Sequence, residues 1–200
     1  MNKRFFDITL SLLLLLIIAP LMIIISIYIY IDSPGSIFYK QVRIGKRNRP
    51  FNIFKFRTMI NRKSSNWPKI TSKNDPRVTS TGKILRRYKL DELPQLINVL
   101  RGDMSFVGPR PEVPKFVNYW SKEEKNLILS IRPGITDPAS ILFSNESEEI
   151  ENSNSEEFYI KNIMPKKIKT SLFYIKDNSL LKDLKIILQT IFCLVKKQRK

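Results

Sequence analysis

The stretch from Ile8 to Ile31, ITLSLLLLLIIAPLMIIISIYIYI, is almost wholly apolar. A helix needs roughly 20 such residues to cross a bilayer, so the run is long enough to do so. It exceeds the roughly 7–15 residues of a signal-peptide core, and no small-x-small cleavage site follows it. The stretch therefore reads as a retained membrane element. Pro20 lies near its middle. A proline there removes a helical hydrogen bond and clashes with the preceding turn, so a bend or break is expected. Lys3 and Arg4 precede the run, and Lys40, Arg43, Lys46, Arg47 and Arg49 follow soon after Asp32. Basic flanks favour the cytoplasmic side. A straight span cannot place both flanks there, whereas a helix broken at Pro20 that returns to the same face can. A tilted span with a tolerated proline is the competing reading.

The remaining chain is long enough for one soluble domain, which divides the 200 residues into a membrane element, 1–32, and a catalytic or binding domain, 33–200. The formal net charge of +17 favours an anionic partner: a phosphate-bearing substrate, an anionic lipid or nucleic acid. There is no histidine and one cysteine, Cys193. An internal disulfide and an ordinary zinc site are thereby excluded. A hard cation held by carboxylates is not. Any acid–base or covalent chemistry must fall to carboxylates, lysines, tyrosines or hydroxyls.

The pattern after the membrane element is mixed α+β. Ser33-Pro34-Gly35-Ser36 reads as a turn. Ile37 to Ile44 and Phe51 to Phe56 read as short strands joined through Gly45 to Pro50, a hairpin. Arg62 to Asp75 reads as a loop. Gly82 to Tyr88 reads as a short basic helix. Leu93, Leu96, Ile97 and Leu100 share helical spacing, with Pro94 suited to the first helical position and Gly102 to the stop. Gly102 to Pro111 is read as a loop and Lys115 to Ser130 as one surface helix, with Arg132 to Pro138 a structured turn. The Asn-, Ser- and Glu-rich segment 144–157 reads as a solvated loop. Leu180, Leu181, Leu184, Ile187, Leu188, Ile191 and Leu194 share one helical face. They define an amphipathic C-terminal helix, either packed on the core or lying in a membrane interface with its basic tail.

Asp91 and Glu92 are adjacent acids in a segment dense with lysine and arginine. Ahead of a helix started by Pro94, with Arg86 and Arg87 near, both carboxylates should be held ionised. An ionised aspartate is a usable nucleophile toward phosphorus, and a neighbouring glutamate can hold Mg²⁺. Taken alone, the dipeptide reads more simply as a helix cap paired with Arg87 or Lys89. Arg57, Arg86 and Arg110 could bind phosphate through their forked donors, or be surface charges.

Four motifs occur in order after the apolar run: Phe54-Lys55-Phe56-Arg57-Thr58-Met59, Leu90-Asp91-Glu92-Leu93-Pro94-Gln95, GDMSFVGPRP at 102–111, and Arg132-Pro133-Gly134-Ile135-Thr136. Together they resemble the bacterial sugar transferase family, the monotopic phosphoglycosyl transferases that begin glycan assembly on polyprenol phosphate. The resemblance implies two half-reactions. Asp91 would attack the sugar-linked phosphorus of a UDP-sugar and release UMP. Polyprenol (undecaprenyl) phosphate would then take the phosphosugar. Glu92 matches the Mg²⁺ ligand, Arg86 a substrate-phosphate arginine and Arg110 a nucleotide-sugar contact, with Lys55 and Arg57 also substrate-binding. The resemblance further implies a re-entrant helix broken at Pro20 and a catalytic domain on the cytoplasmic face of the bacterial inner membrane. Its implied partners are membrane lipids and downstream glycosyltransferases, not nucleic acid, and it implies the minimal, single-module form. Two positions depart from the pattern: Ala19-Pro20 replaces a frequent Ser-Pro, and Thr136-Asp137-Pro138 replaces Thr-Gly. A rival reading is a membrane-tethered polyanion-binding module without catalysis. Another is a hydrolase or glycosyltransferase that forms no covalent phosphosugar.

Overall fold

Helix α1 runs without interruption from Lys3 to Asp32, with Pro20 inside it, in a computed structural model that describes residues 2–60, 75–143 and 156–198. Most of the loop expected from Arg62, most of the acidic segment 144–157 and the last two lysine or arginine positions lie outside the described residues. Pro20 does not divide the helix as expected. Its missing N–H deprives only the carbonyl of Leu16 of a helical partner, and the turns on either side hold.

One face of α1 lies on the rest of the chain along its whole length. Asp7, Ser11, Ile25 and Ile29 are buried, with Ile18 and Met22 half-buried between them. These positions follow steps of three, four or seven residues and so share a face. The opposite face exposes Leu12, Leu13, Leu16, Ile17, Ile24, Ile27 and Ile31. The helix is long and apolar enough to cross a membrane. Both ends are nevertheless tied to the domain. Arg4 donates to the carbonyls of Val99 (2.6 Å) and Leu100 (2.9 Å), and Lys3 Nζ to that of Val107 at 3.0 Å. At the far end, the N–H of Thr81 donates to Asp32 Oδ2 at 2.7 Å.

Strands β1 (Phe38–Ile44) and β2 (Pro50–Phe56) form the expected antiparallel hairpin, with Phe38 opposite Phe56 and Ile44 opposite Pro50. Arg47 and Asn48 in the connection adopt positive φ, which lets the chain reverse there. Helix α2 (Ser80–Arg87) starts at Thr79, whose side chain accepts from the N–H of Gly82. Helix α3 (Gln95–Arg101) stops at Gly102, which supplies the left-handed φ of 89° that ends a helix.

Two segments expected as irregular contain strands. β3 (Ser105–Val107) and β4 (Gly134–Thr136) pair in parallel, with Ser105 opposite Gly134 and Val107 opposite Thr136. Three residues are too few to show an alternating pattern, and the flanking glycines and prolines mask them. Those glycines permit the pairing. A Cβ on Gly134 would stand 2.2 Å from the nitrogen of Gly108.

The expected surface helix from Lys115 to Ser130 is two helices, α4 (Pro114–Val117) and α5 (Lys122–Ile128). Ser121 divides them by starting a new helix with a reciprocal capping box to Glu124. Helix α6 (Pro138–Leu142) follows. Beyond it, α7 (Glu156–Phe158) passes through a wider turn, Tyr159–Ile163, into α8 (Met164–Lys176), and α9 (Leu180–Gln198) closes the described chain.

Apolar clusters sit on either side of the hairpin and α3. Ile53, Leu96, Val99, Met104, Val107, Tyr174 and Ile186 form one beneath the first half of α1, and Phe56 and Leu85 join Ile25 and Ile29 in another beneath its second half. Helix α9 turns Asp183, Ile186 and Thr190 inward and leaves Leu181, Leu184, Leu188, Ile191 and Phe192 exposed. Of the expected stripe, Leu181, Leu184, Leu188 and Ile191 face out, while Leu180, Ile187 and Leu194 are half-buried and Ile187 packs against the core. Asp183 pairs with Lys3 and accepts from Tyr174 Oη at 2.6 Å, fixing α9 to the start of α1.

Candidate active site

Lys89 adopts a left-handed conformation (φ 57°), which turns the chain sharply out of α2. The next residues, Leu90–Glu92, form a tight helical turn. Leu93 and Pro94 keep right-handed backbone angles and lead into α3. Asp91 and Glu92 thus sit one turn ahead of α3, and Pro94 falls one position earlier than the first helical residue expected of it. Asp91 is buried and Glu92 half-buried.

Asn98 positions this turn against the hairpin. Its side chain accepts from the N–H of Phe54 at 2.9 Å and donates to the carbonyl of Asn52 at 2.8 Å. That staple holds β2 alongside α3 and brings Lys55 to Glu92, with Nζ 2.9 Å from Oε1. Arg110 arrives from the loop after β3. Its N–H donates to Asp137 Oδ2 (3.3 Å), Nη1 to the carbonyl of Ile135 (3.2 Å) and Nη2 to Glu92 Oε1 (2.5 Å). Asp137 is itself fixed as the cap of α6, accepting from the N–H of Ser140 at 2.7 Å. Both cations reach Glu92 through Oε1.

The two acids end in opposite electrostatic states. Burial pushes the Glu92 carboxyl up, but Arg110 and Lys55 outweigh it and hold Glu92 well below the usual carboxylate range. Burial raises Asp91, and the neighbouring charge of Glu92 adds to the rise, against the opposing pull of Lys55, Lys89 and Arg86. The cationic surroundings therefore lower the Glu92 carboxyl as expected, but not that of Asp91, which is raised. Desolvation exceeds the attraction of its cations. Asp91 Oδ1 is buried without a hydrogen-bond partner among the described residues. Burial likewise lowers Lys55, against the pull of Glu92, and Glu92 raises Arg110.

Arg86 is held by Nε donating to Thr58 Oγ1 at 2.8 Å, and its charge acts on Asp91. Arg57 goes elsewhere. Its guanidinium donates to the carbonyls of Ser33 and Pro34, where the chain leaves α1. The structure thus brings Lys55, Arg86 and Arg110 around the acid pair and uses Arg57 at the membrane-helix exit, while Pro20 remains exposed on α1. Sequence reading named Lys89 only as a pairing partner of a helix cap and gave no part to Thr58 or Asp137. Asp137-Pro138-Ala139-Ser140 carries a helix-start signature that identifies Asp137 as a cap, but not that the same carboxylate steadies Arg110.

The donor chemistry fits Mg²⁺. This cation takes one or two carboxylates and fills its remaining positions with water and phosphate oxygens. Among the described residues no three ligand-type side chains converge. The protein share of such a site would be Glu92, beside the unpartnered Oδ1 of Asp91.

Fold and site together define an α+β domain on a long apolar helix, with an acid pair, one member buried and one half-buried, in a cationic setting. Residues 1–197 match the family described as Bacterial sugar transferase, and the chain belongs to that family. It is 40% identical over 197 residues, covering 96% of this chain, to the undecaprenyl-phosphate glucose phosphotransferase of Komagataeibacter xylinus, of which it spans 35%. The UDP-glucose:undecaprenyl-phosphate glucose-1-phosphate transferase of Escherichia coli (strain K12) is 36% identical over 95% of this chain and 39% of its own length. A protein of the same description from Caulobacter vibrioides is 37% identical over 96% of this chain and 68% of its own length. The chain thus spans well under half the length of the first two relatives.

Proposed function

We propose that this chain is a phosphoglycosyl transferase that moves a sugar phosphate from a UDP-sugar to undecaprenyl phosphate. The observation that carries the reading is the division of the acid pair: Glu92 is locked by Lys55 and Arg110, while Asp91 keeps a free oxygen. Relatives named for phosphotransfer to undecaprenyl phosphate, with glucose or N-acetylgalactosamine as the sugar, support it.

In the first half-reaction an Asp91 oxygen attacks the sugar-bearing phosphorus. The bond from that phosphorus to the bridging oxygen breaks, and UMP departs with the electron pair. An acyl phosphate then links Asp91 to the phosphosugar. In the second half-reaction a phosphate oxygen of the polyprenol attacks the same phosphorus, the acyl–phosphate bond breaks and the Asp91 carboxylate returns. Arg86 and the remaining N–H donors of Arg110 are placed to hold phosphate oxygens as charge develops. Lys55 keeps Glu92 ionised. Mg²⁺ held by Glu92 would supply neutralising charge at the diphosphate. Arg57 holds the domain against the α1 exit, a positioning task rather than the substrate contact implied by resemblance.

The same reading places α1 as a re-entrant helix, bent at Pro20 rather than broken there, whose two ends lie at the cytoplasmic face of the inner membrane. Docking of both Arg4 and Asp32 on one domain supports this, as does the exposed apolar face between them. The outward apolar stripe of α9 fits an interfacial helix beside it.

The test supplies detergent-purified protein with Mg²⁺, undecaprenyl phosphate and a panel of UDP-sugars, and follows UMP. UMP formation with one sugar, together with a mass-shifted peptide containing Asp91, is the expected result. Release of UDP or of a free sugar phosphate would overturn it.

A further inference from the structure

Gln95 is fully buried, and neither its amide nitrogen nor its amide oxygen has a hydrogen-bond partner among the described residues. A buried amide left unpaired is destabilising, so a sequence that keeps one has a use for it. The backbone is right-handed helical from Leu90 into α3. Asp91 lies in the tight turn, whose bonds span three residues, and Gln95 opens α3 just beyond it; the side chains of Asp91, Gln95 and Asn98 are all buried. Asn98 spends its amide on the backbone of β2. Asp91, four residues before Gln95, presents the complementary defect: a buried acceptor, Oδ1, without a donor. Asp–Gln at this spacing is a recognised hydrogen-bonding pair on a helix.

We propose that Gln95 is a positioning residue for the reaction. Its amide nitrogen donates to Asp91 Oδ1 when the substrate fills the site, fixing the carboxylate plane so that the other oxygen faces the phosphorus. The two groups are unbonded in this structure. The bond leaves one oxygen free for attack and later steadies the acyl oxygen of the covalent intermediate.

The inference rests on Asp91 as nucleophile, and two readouts separate its failure from the failure of that reading. The first is Gln95→Met, which keeps the volume of the side chain and removes the unpaired amide. Expected is a rate of UMP release at least about 10-fold lower at saturating UDP-sugar, with KM for UDP-sugar and melting temperature near those of the unmodified protein. Full turnover in Gln95→Met would overturn the proposal, as would a loss of activity that tracks a fall in melting temperature. If Gln95→Met does not fold, Gln95→Asn replaces it. Its amide is one methylene too short to reach Asp91, so the same loss is expected, and wild-type turnover overturns the proposal. The second readout needs no turnover. In a cycle with Asp91→Asn, measured with a non-hydrolysable UDP-sugar analogue bound, the shifts in melting temperature are expected to be non-additive. Additive shifts overturn the pairing whatever residue attacks, whereas unchanged UMP release by Asp91→Asn overturns only the nucleophile.

Discussion

Arg110 Nη2 and Lys55 Nζ converge on a single oxygen, Glu92 Oε1, at 2.5 Å and 2.9 Å, while the adjacent residue Asp91 keeps an oxygen with no partner. One acid is tied to two cations that hold its carboxyl well below the usual range, and the other is left available. Consecutive residues in a tight helical turn point about 100° apart, so the same dipeptide can face two environments.

Arg110→Ala removes one of the two cations on Glu92 and the fork proposed to hold substrate phosphate. Lys55 remains, so Glu92 is not stranded. Stability should fall by only about 1–3 kcal/mol. The rate of UMP release should fall by roughly 10²-fold, the usual cost of losing one preorganised donor to developing charge. Arg110→Lys restores the charge but not the planar fork and should recover only part of the loss. A thermal melt beside a UMP assay separates the two effects.

Asp91→Asn should abolish both UMP release and the covalent adduct, and should also stabilise the fold. Burial raises the Asp91 carboxyl above its ordinary value of 3.8. The folded state therefore holds this proton more tightly than the unfolded chain. Stability falls as pH rises from the unfolded value through the folded one, and the penalty is complete above it. Asparagine carries no such penalty. Its melting temperature should exceed that of the wild type at neutral pH, and the gap should close as the solution is acidified. The wild-type rate should rise with pH along an acid limb displaced above the ordinary aspartate value. Melts of both proteins across a pH series and a pH–rate profile check the two claims.

Much of this arrangement was legible in the chain. The strand-like runs Ile37–Ile44 and Phe51–Phe56, the polar link between them and the stop at Gly102 are local signals, and the hairpin and the end of α3 follow them closely. The acid pair stood out because histidine is absent. The strands β3 and β4 were hidden because their stability comes from pairing across a long sequence separation, not from a pattern within three residues. The opposite states of Asp91 and Glu92 were hidden for a similar reason. Both neighbours of Glu92 come from distant segments, Lys55 from β2 and Arg110 from the loop after β3, and burial is a property of the assembled domain. The helix-capping reading of the pair does not describe Glu92, whose hydrogen-bonding partners are these two distant cations.

The topology of α1 gives an independent prediction. With Cys193 replaced by serine, a cysteine introduced at Asn2 and another at Ser36 flank the helix. Both should resist a membrane-impermeant thiol reagent in intact spheroplasts and react once the membrane is opened. A helix tied to one domain by Arg4 and by Asp32 cannot leave one end outside without breaking one set of bonds. Labelling of the Asn2→Cys protein in intact spheroplasts would exclude re-entry.

Gly134→Ala tests how the site depends on the parallel pair beneath it. The added methyl would lie 2.2 Å from the nitrogen of Gly108 and 2.5 Å from its oxygen. These are backbone atoms and cannot rotate away, so β3 and β4 must separate. Gly108 begins the turn that carries Arg110, and β4 leads directly into Asp137, which accepts from the Arg110 N–H. Separation therefore moves both supports of the arginine at once. Overpacking of this kind costs about 1–3 kcal/mol, which should lower the melting temperature without unfolding the domain at room temperature. The displaced Arg110 should raise KM for the UDP-sugar and lower kcat together. Gly45→Ala is the control. Its nearest neighbour is the ring of Phe51 at 3.0 Å, a β2 side chain that can shift, and the nearest backbone atom, the Arg49 oxygen, stands at 3.3 Å. That substitution should leave both constants within about two-fold of wild type, since surface changes away from such features cost little. Equal effects from the two alanines would show that Arg110 does not depend on the β3–β4 pair for its position.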